Sequence, residues 1–434
     1  MPKNPRKRTA DDDGSDTKDL MSNKTPKLPV ETALDKKNTQ ALQSRIKKAN
    51  DDRAARDAEW AALHPAGGPP PPAGSRGDGT FRLTHLRMGA GDCTIMCTPE
   101  GRVVLVDCGT NDSEQAPADF AAMAADVLES KEYLLNYPRI DVVILTHPDK
   151  DHYNQLAQLL PQTAIPRTVY HSDERKEYAK GGWLNRVEGY DDLCRRVELS
   201  ADQAEREISE KKGKSRVTKK VKTAIGYTRL AGGTIPSSGT PEEEKLDGDG
   251  GGLVVLYEKG ACKITILAGM VQYDYEDDKD DGTNRASLVT LVEVYDKSFL
   301  LLGDATRSTE RYLVNQRAAK IKNVDYTTAG HHGSNRTSTG QFFVDAVDPV
   351  RQATVSAGKK GLDAHRLPSW QVIDRYQIRL NASGRGKYPK HTVSAWPDAG
   401  DVVEKQVEEG VFTTGCSTKG VQIIVPPATP RPGL

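Results

Sequence analysis

Short bursts of apolar residues recur between positions 81 and 425, each closed by turn residues. Segments 81–87, 93–98 and 103–107 have strand length, separated by Gly89-Ala90-Gly91-Asp92 and Pro99-Glu100-Gly101. Phe120, Met123, Val127 and Leu128, then Leu134 and Leu135, recur at helical spacing. The run DVVILT (141–146) predicts a buried strand that ends in a polar cluster. Leu156, Leu159 and Leu160 begin a helix behind it, and 168–171 is a further strand. Strands are predicted again at 253–257, 262–267, 288–294, 299–302 and 352–357. Helices are predicted at 308–319, 339–347 and 369–376, and 411–414 with 421–425 as a terminal strand pair. Strands interleaved with helices in this way indicate an α/β (α+β) chain.

Composition changes where that pattern is trusted. A length of 434 residues suggests about three domains at ~150 residues each. Only 36% of the residues are hydrophobic, which fits one large core with long polar additions better than three cores. Residues 1–80 hold 15 Lys/Arg, 12 Asp/Glu and one aromatic, Trp60. A chain so polar cannot offset its conformational entropy by burial, so it is predicted to be a disordered extension. Within it, 36–63 has a helical composition and 64–79 is a Pro/Gly linker. The folded body then runs from 81 to 425, with a charged insertion at about 199–250 and a Pro-rich tail at 426–434.

Several classes drop out. Acidic and basic residues balance at 61 each, so the chain as a whole is no cationic nucleic-acid coat. No apolar run reaches the ~20 residues a membrane helix needs, so no membrane partner is expected. The charged start MPKNPRKRTADDDG has no apolar h-region, which predicts no secretory signal. Six cysteines without a C-x-x-C pair point to a reducing, cytoplasmic setting rather than a disulfide scaffold.

The candidate chemistry starts at THPDKDH (146–152). His147, Asp149, Asp151 and His152 follow directly on a buried strand, and their oxygen and imidazole donors suit zinc, manganese or iron. An extended backbone would send His147, Asp149 and Asp151 to one side, with a turn at Asp151–His152 aiming that pair at a second ion. A plain surface turn is the competing reading. Asp107 closes VVLVD, Asp304 closes FLLLGD, and His331 and His332 stand in AGHHGS. Four strand ends carrying Asp or His predict one active-site edge of a sheet.

The order of these blocks resembles the metallo-β-lactamase fold, in the subgroup found as the hydrolase domain of competence proteins of the ComEC type. The resemblance runs over 81–425 outside the insertion. It rests on RMGAGDCTIMCTPEGRVVLVDCGT (87–110), THPDKDH, NRASLVTL (284–291), LLLGDA (300–305), GHHGSNRTST (330–339) and SAGKKGLDAH (356–365). It implies a four-layer αββα sandwich binding one or two divalent ions, zinc or manganese. His147 and Asp149 would serve the first ion, and Asp151 and His152 the second. Asp304 would bridge, with one of His331 and His332 completing the second site. Asp107 would orient ligands by hydrogen bonds, and Asp151 would also hold the attacking water. The chemistry implied is attack by a metal-bound hydroxide on an ester, amide or phosphodiester. The superfamily's histidine between the first cluster and the bridging Asp is missing; only His171 lies in that interval. Asn284, Ser287 or water would fill the gap. His365 is a candidate ligand or substrate contact, and Ser334 a candidate substrate contact. Competence proteins carry membrane segments that this sequence lacks.

Three functions compete. The first is a metal-dependent phosphodiesterase or nuclease, with Lys211, Lys212, Lys219 and Lys220 of the basic segment 211–222 as nucleic-acid contacts. The second is hydrolysis of a small ester, lactone or thioester. The third is a non-catalytic metal-binding regulatory or interaction module. The N-terminal tail is a candidate docking segment for a protein partner.

Overall fold

The computed structural model of the chain describes residues 77–110, 140–156, 168–173, 175–178, 194–212, 215–231, 253–269, 271, 283–357, 365–384, 387–416 and 420–427. The expected extension before residue 77, with its helix at 36–63, lies outside them. So do the helix through Phe120–Leu135, the helix beyond Leu156, most of the linker, and the tail after 427.

Two sheets form the body. The first contains β1 (Phe81–Leu86), β2 (Thr94–Cys97), β3 (Val103–Val106), β4 (Val142–Leu145), β5 (Thr168–His171), β6 (Cys194–Lys212) and β7 (Ser215–Ala231). The second contains β8 (Val254–Lys259), β9 (Cys262–Ala268), β10 (Val289–Val294), β11 (Lys297–Leu301), β12 (Tyr326–Thr328), β13 (Gln352–Val355) and β16 (Val411–Thr413). Helices α1 (Arg307–Gln316), α2 (Ala318–Ile321), α3 (Gln341–Val347) and α4 (Trp370–Ser383) accompany the second sheet. A separate two-stranded sheet pairs β14 (Lys387–Ala395) with β15 (Val403–Glu409), and β17 (Gly420–Val425) closes the first sheet beside β1.

Side-chain alternation builds the layers. Along β10, Val292 and Val294 join Phe81, Val104, Ile144, Phe299 and Val425 in a core between the sheets. Their neighbours Val289 and Leu291 point the other way, onto Leu313, Ile321, Phe343 and Val347 of the helices. Trp370, Ile373, Tyr376 and Leu380 seat α4 on Val355, Val393, Val407 and Val411. Both faces of the second sheet are therefore covered, which is why its strands read as near-continuous apolar runs. These layers fit the α/β metallo-β-lactamase sandwich expected from the sequence.

One expectation needs correction, and two hairpins were not foreseen. The terminal segments do not pair with each other: β16 lies parallel to β13, and β17 antiparallel to β1. Two apolar segments this close in sequence look like a hairpin, but partners distant in sequence take both. The β14–β15 hairpin was not expected, because half of its residues are exposed and no apolar alternation marks them. The charged insertion at about 199–250, to which no elements were assigned, carries strands as far as residue 231. There β6 and β7 form one long antiparallel hairpin. Its register sets Lys211 opposite Arg216, Lys212 opposite Ser215, Lys219 opposite Ile208 and Lys220 opposite Glu207. No helix among the described residues is long and apolar enough to cross a membrane.

Direction is what positions the site. Strand β3 is parallel to β4, and β11, β12 and β13 are mutually parallel. Their carboxyl ends present Asp107, His147, Asp304, His331 and Ser356. A backbone bond from Leu288 N–H to the Thr146 carbonyl (3.0 Å) joins the two sheets at that end.

Candidate metal centre

Asp107 leaves β3 with φ +56°, the left-handed region that non-glycine residues rarely adopt. That conformation turns its carboxylate back along β4. One oxygen accepts from Thr146 N–H (2.8 Å); the other accepts from Thr146 Oγ1 (2.7 Å) and from His152 Nδ1 (2.8 Å). A proton held on His152 Nδ1 leaves Nε2 as the lone-pair face. The same device recurs elsewhere. His332 Nδ1 donates to the Ser356 carbonyl (2.9 Å), and His331 Nδ1 meets Thr337 Oγ1 (2.8 Å). His147 Nδ1 lies 3.1 Å from Thr146 Oγ1 and 3.3 Å from Ser287 Oγ.

All four rings thus present Nε2 to Asp304. Its carboxylate lies 3.3 Å from Nε2 of His152, 3.6 Å from that of His332, 3.7 Å from that of His331 and 3.9 Å from that of His147. Asp151 Oδ2 is 3.3 Å from His332 Nε2, and Asp149 Oδ2 is 3.6 Å from His147 Nε2. Two donors bound to one zinc at ~2.1 Å lie about 3.0–3.5 Å apart, so the two spacings of 3.3 Å match a shared ion and the other four, at 3.6–3.9 Å, lie just beyond that range. The decisive observation is what they lack. Nε2 of His147, His152 and His332 and Oδ1 of Asp304 are buried without a hydrogen-bond partner. Four such atoms converging on one point would be costly unless a cation accepts them. The donor set fits divalent ions.

The charges agree. Burial opposes ionising Asp304, yet the rings of His332, His152 and His331 hold its carboxyl well below the usual range. Burial likewise opposes charging His332, but Asp304, Asp151 and Asp92 push it up to about 10. For His152, burial is outweighed by Asp304 and Asp107, and the ring titrates well above normal. Asp151 is lowered, although burial alone would raise it, by the His332 ring 3.3 Å away and by the charge of His152. Ion binding has to displace protons from these rings, so affinity rises with pH.

Most sequence-predicted residues come together here, but not as an extended strand. A 3-10 turn at Lys150–His152 breaks the alternation, burying Asp151 and His152 while the Asp149 side chain stays 47% exposed at the rim. Of the histidine pair, His332 is buried in the cluster with Asp151 and His152, and His331 is 21% exposed. Both have positive φ, +48° for His331 and +53° for His332. Ser287 Oγ accepts from Asp304 N–H (3.1 Å), and Asn284 Nδ2 lies 3.5 Å from His331 Nε2. Ser334 and His365 line the cavity above the cluster, with His365 exposed. His171 stays outside the cluster, its Nδ1 bonded to the Asp173 carbonyl (2.7 Å).

Two residues were missed. Asp92 was read as a turn residue, and its carboxylate lies in the cluster. Burial raises its carboxyl against the pull of His332 and His152, and Asp304 and Asp107 add to the rise. Glu310 sits buried in α1, where it accepts from Thr339 N–H, Gly340 N–H and Ser338 Oγ, pinning the loop behind the histidines. Burial pushes its carboxyl up to about 8 against those bonds. Only the Gly91-Asp92 dipeptide carried a signal, and it is the same as for any turn.

Close backbone approach holds the cluster together. Gly109 packs so tightly on the turn that a Cβ would lie 2.3 Å from the Asp151 carbonyl carbon and 2.5 Å from His152 N. Gly109→Ala is expected to cost about 1–3 kcal/mol through overpacking and to weaken metal binding by displacing Asp151 and His152. Thermal melts with and without added metal check both effects; equal melts for variant and wild type would contradict the packing.

Residues 86–260 match the family model for the metallo-beta-lactamase superfamily. ComE operon protein 3 of Bacillus subtilis (strain 168) is 32% identical over 131 residues, covering 28% of this chain and 16% of that protein. The match therefore spans about a sixth of its relative. Among solved structures, a mutant of the CmlA beta-hydroxylase covers 76% of this chain and 54% of its own at 13% identity, with a TM-score of 0.34. Zn(2+)-bound PqqB from Methylobacterium extorquens covers 57% of this chain and 71% of its own, also at 13% identity, with a TM-score of 0.28.

Proposed function

We infer that the chain is a metal-dependent hydrolase of the metallo-β-lactamase superfamily, whose family model matches residues 86–260, and that its substrate is a phosphodiester. The observation behind this is the wall of the cavity. Arg336, His365 and Arg366 line the same space, about 600 Å³, as Asp151, Asp304, His331 and His332. A guanidinium beside a metal cluster suits a substrate that keeps negative charge on its non-bridging oxygens, which a neutral ester does not have.

Arg366 is fixed in place. Its guanidinium donates to the carbonyls of Pro397 (2.6 Å) and Gly400 (2.9 Å) and lies 5.4 Å from the Trp396 ring centre. The β14–β15 hairpin, through the loop after β14, thus sets the outer wall. Divalent ions held by the Asp and His cluster would supply Lewis acidity and lower the pKa of a coordinated water. The chain's residues do the rest in this reading. Asp107 keeps His152 in one tautomer, Asp151 accepts a proton from the attacking water, and Arg336 balances phosphoryl charge. His365 at the rim would protonate the leaving oxygen. Nucleic-acid strands are one form such a substrate takes, with Lys211, Lys212, Lys219 and Lys220 as outlying contacts.

Arg336→Ala should raise KM for bis-p-nitrophenyl phosphate by roughly 10- to 100-fold, the worth of one charged hydrogen bond. Turnover of p-nitrophenyl acetate should be unaffected. Preferential cleavage of the neutral ester, with no arginine dependence, would count against the phosphodiester reading and favour a small ester.

A further inference from the structure

The Gly91-Asp92 turn between β1 and β2 reaches across the sheet end and is tied to three segments of the site. Asp92 N–H donates to the Asp151 carbonyl (3.1 Å), and Gly109 N–H donates to the Asp92 carbonyl (2.9 Å). Ser356 Oγ, next to the carbonyl that fixes His332, donates to the Gly91 carbonyl (2.6 Å). These bonds fix where the Asp92 side chain starts. Its carboxylate lies within 4.8 Å of donor atoms of both Asp304 and His332, and likewise of Asp107 and His152. In those same residues Nε2 of His152 and His332 and Oδ1 of Asp304 are buried and unpartnered. A fourth carboxylate beside Asp107, Asp151 and Asp304 adds repulsion that only a cation relieves.

We propose that Asp92 is a direct ligand of the ion held by Asp151, His152, His332 and Asp304. The proposal rests on the metal-centre reading and extends its donor set to three carboxylates and two imidazoles. Five protein donors exceed the tetrahedral set usual for structural zinc and make the site rich in hard oxygen.

The test uses the full chain stripped with chelator, as wild type, Asp92→Asn and Asp92→Ala. Calorimetric titration with MnCl2 and ZnCl2 reads affinity, and visible spectra of the Co2+-loaded protein read coordination number. Asp92→Asn, which keeps the shape, should weaken the site by about 100-fold or more, beyond the usual loss for an outer hydrogen-bond partner. Its Co2+ absorbance per ion should rise as coordination number falls. Its metal-free melting temperature should equal or exceed that of wild type, because a carboxylate crowded by others is gone; this melt guards against misfolding in the alanine variant. Unchanged affinity, or weakened affinity with an unchanged Co2+ spectrum, would overturn the proposal and leave the parent site standing. A wild-type chain that binds no metal would overturn both.

Discussion

Replacing Asp304 by alanine is expected to release bound metal and reduce phosphodiester turnover about 10³-fold. Its carboxylate is the common neighbour of Nε2 in His147, His152, His331 and His332, at 3.3–3.9 Å. It stands with His147 and His152 in one group of candidate ligands and with Asp92 and His332 in another, so it joins the two halves of the cluster. Lewis-acid stabilisation is worth several kcal/mol, and each factor of ten in rate is about 1.4 kcal/mol. The fold should survive, since Gly303 and not Asp304 makes the tight contact there: a Cβ on Gly303 would lie 2.9 Å from that of Thr146. Metal content and turnover measured on the same sample check the result. Turnover within tenfold of wild type would show that Asp304 does not join the two halves.

The second large effect belongs to Asp107, and its two substitutions should separate stability from chemistry. Asp107→Ala removes the acceptor for Thr146 N–H, Thr146 Oγ1 and His152 Nδ1, all buried. Each donor left unsatisfied costs about 1–3 kcal/mol, so the alanine variant should melt far below wild type. Asp107→Asn keeps an oxygen for Thr146 N–H but sets an amide N–H2 against His152 Nδ1. That nitrogen must then accept, and its proton moves to Nε2, the atom that faces Asp304. Metal affinity should fall by about 10- to 100-fold in the asparagine variant, with a much smaller loss of stability. Denaturant melts and metal titration of both variants decide it. Equal damage to stability and affinity in each would mean that Asp107 serves packing alone.

What the sequence revealed follows a physical rule. Asp107, His147 and Asp304 each terminate an apolar run, and a charged or ligating side chain at the end of a buried strand is conspicuous. Strand β5 was located to the residue because polar turns bound its apolar run on both sides. Asp92 was hidden because Gly-Ala-Gly-Asp is what any tight turn looks like, and only the approach of Gly109 and Asp151 gives it a second meaning. The choice between His331 and His332 depends on two successive left-handed residues, which local sequence does not encode. The β14–β15 hairpin carried no periodic signal, since exposed faces tolerate any polar residue. Yet the loop that follows β14 supplies Trp396, Pro397 and Asp398 to the cavity. Chemistry at strand ends was therefore legible, while the wall that selects the substrate was not.

In the proposed function, the Asp and His atoms of the cluster hold divalent ions on which phosphodiester hydrolysis depends. The most direct measurement is a single titration of the full chain. Metal is removed with chelator and returned stepwise as Mn2+ or Zn2+, while bound metal and bis-p-nitrophenyl phosphate turnover are followed together. Turnover should vanish on removal and return in step with occupancy. Turnover that survives chelation, or a chain that takes up no metal, would contradict the account.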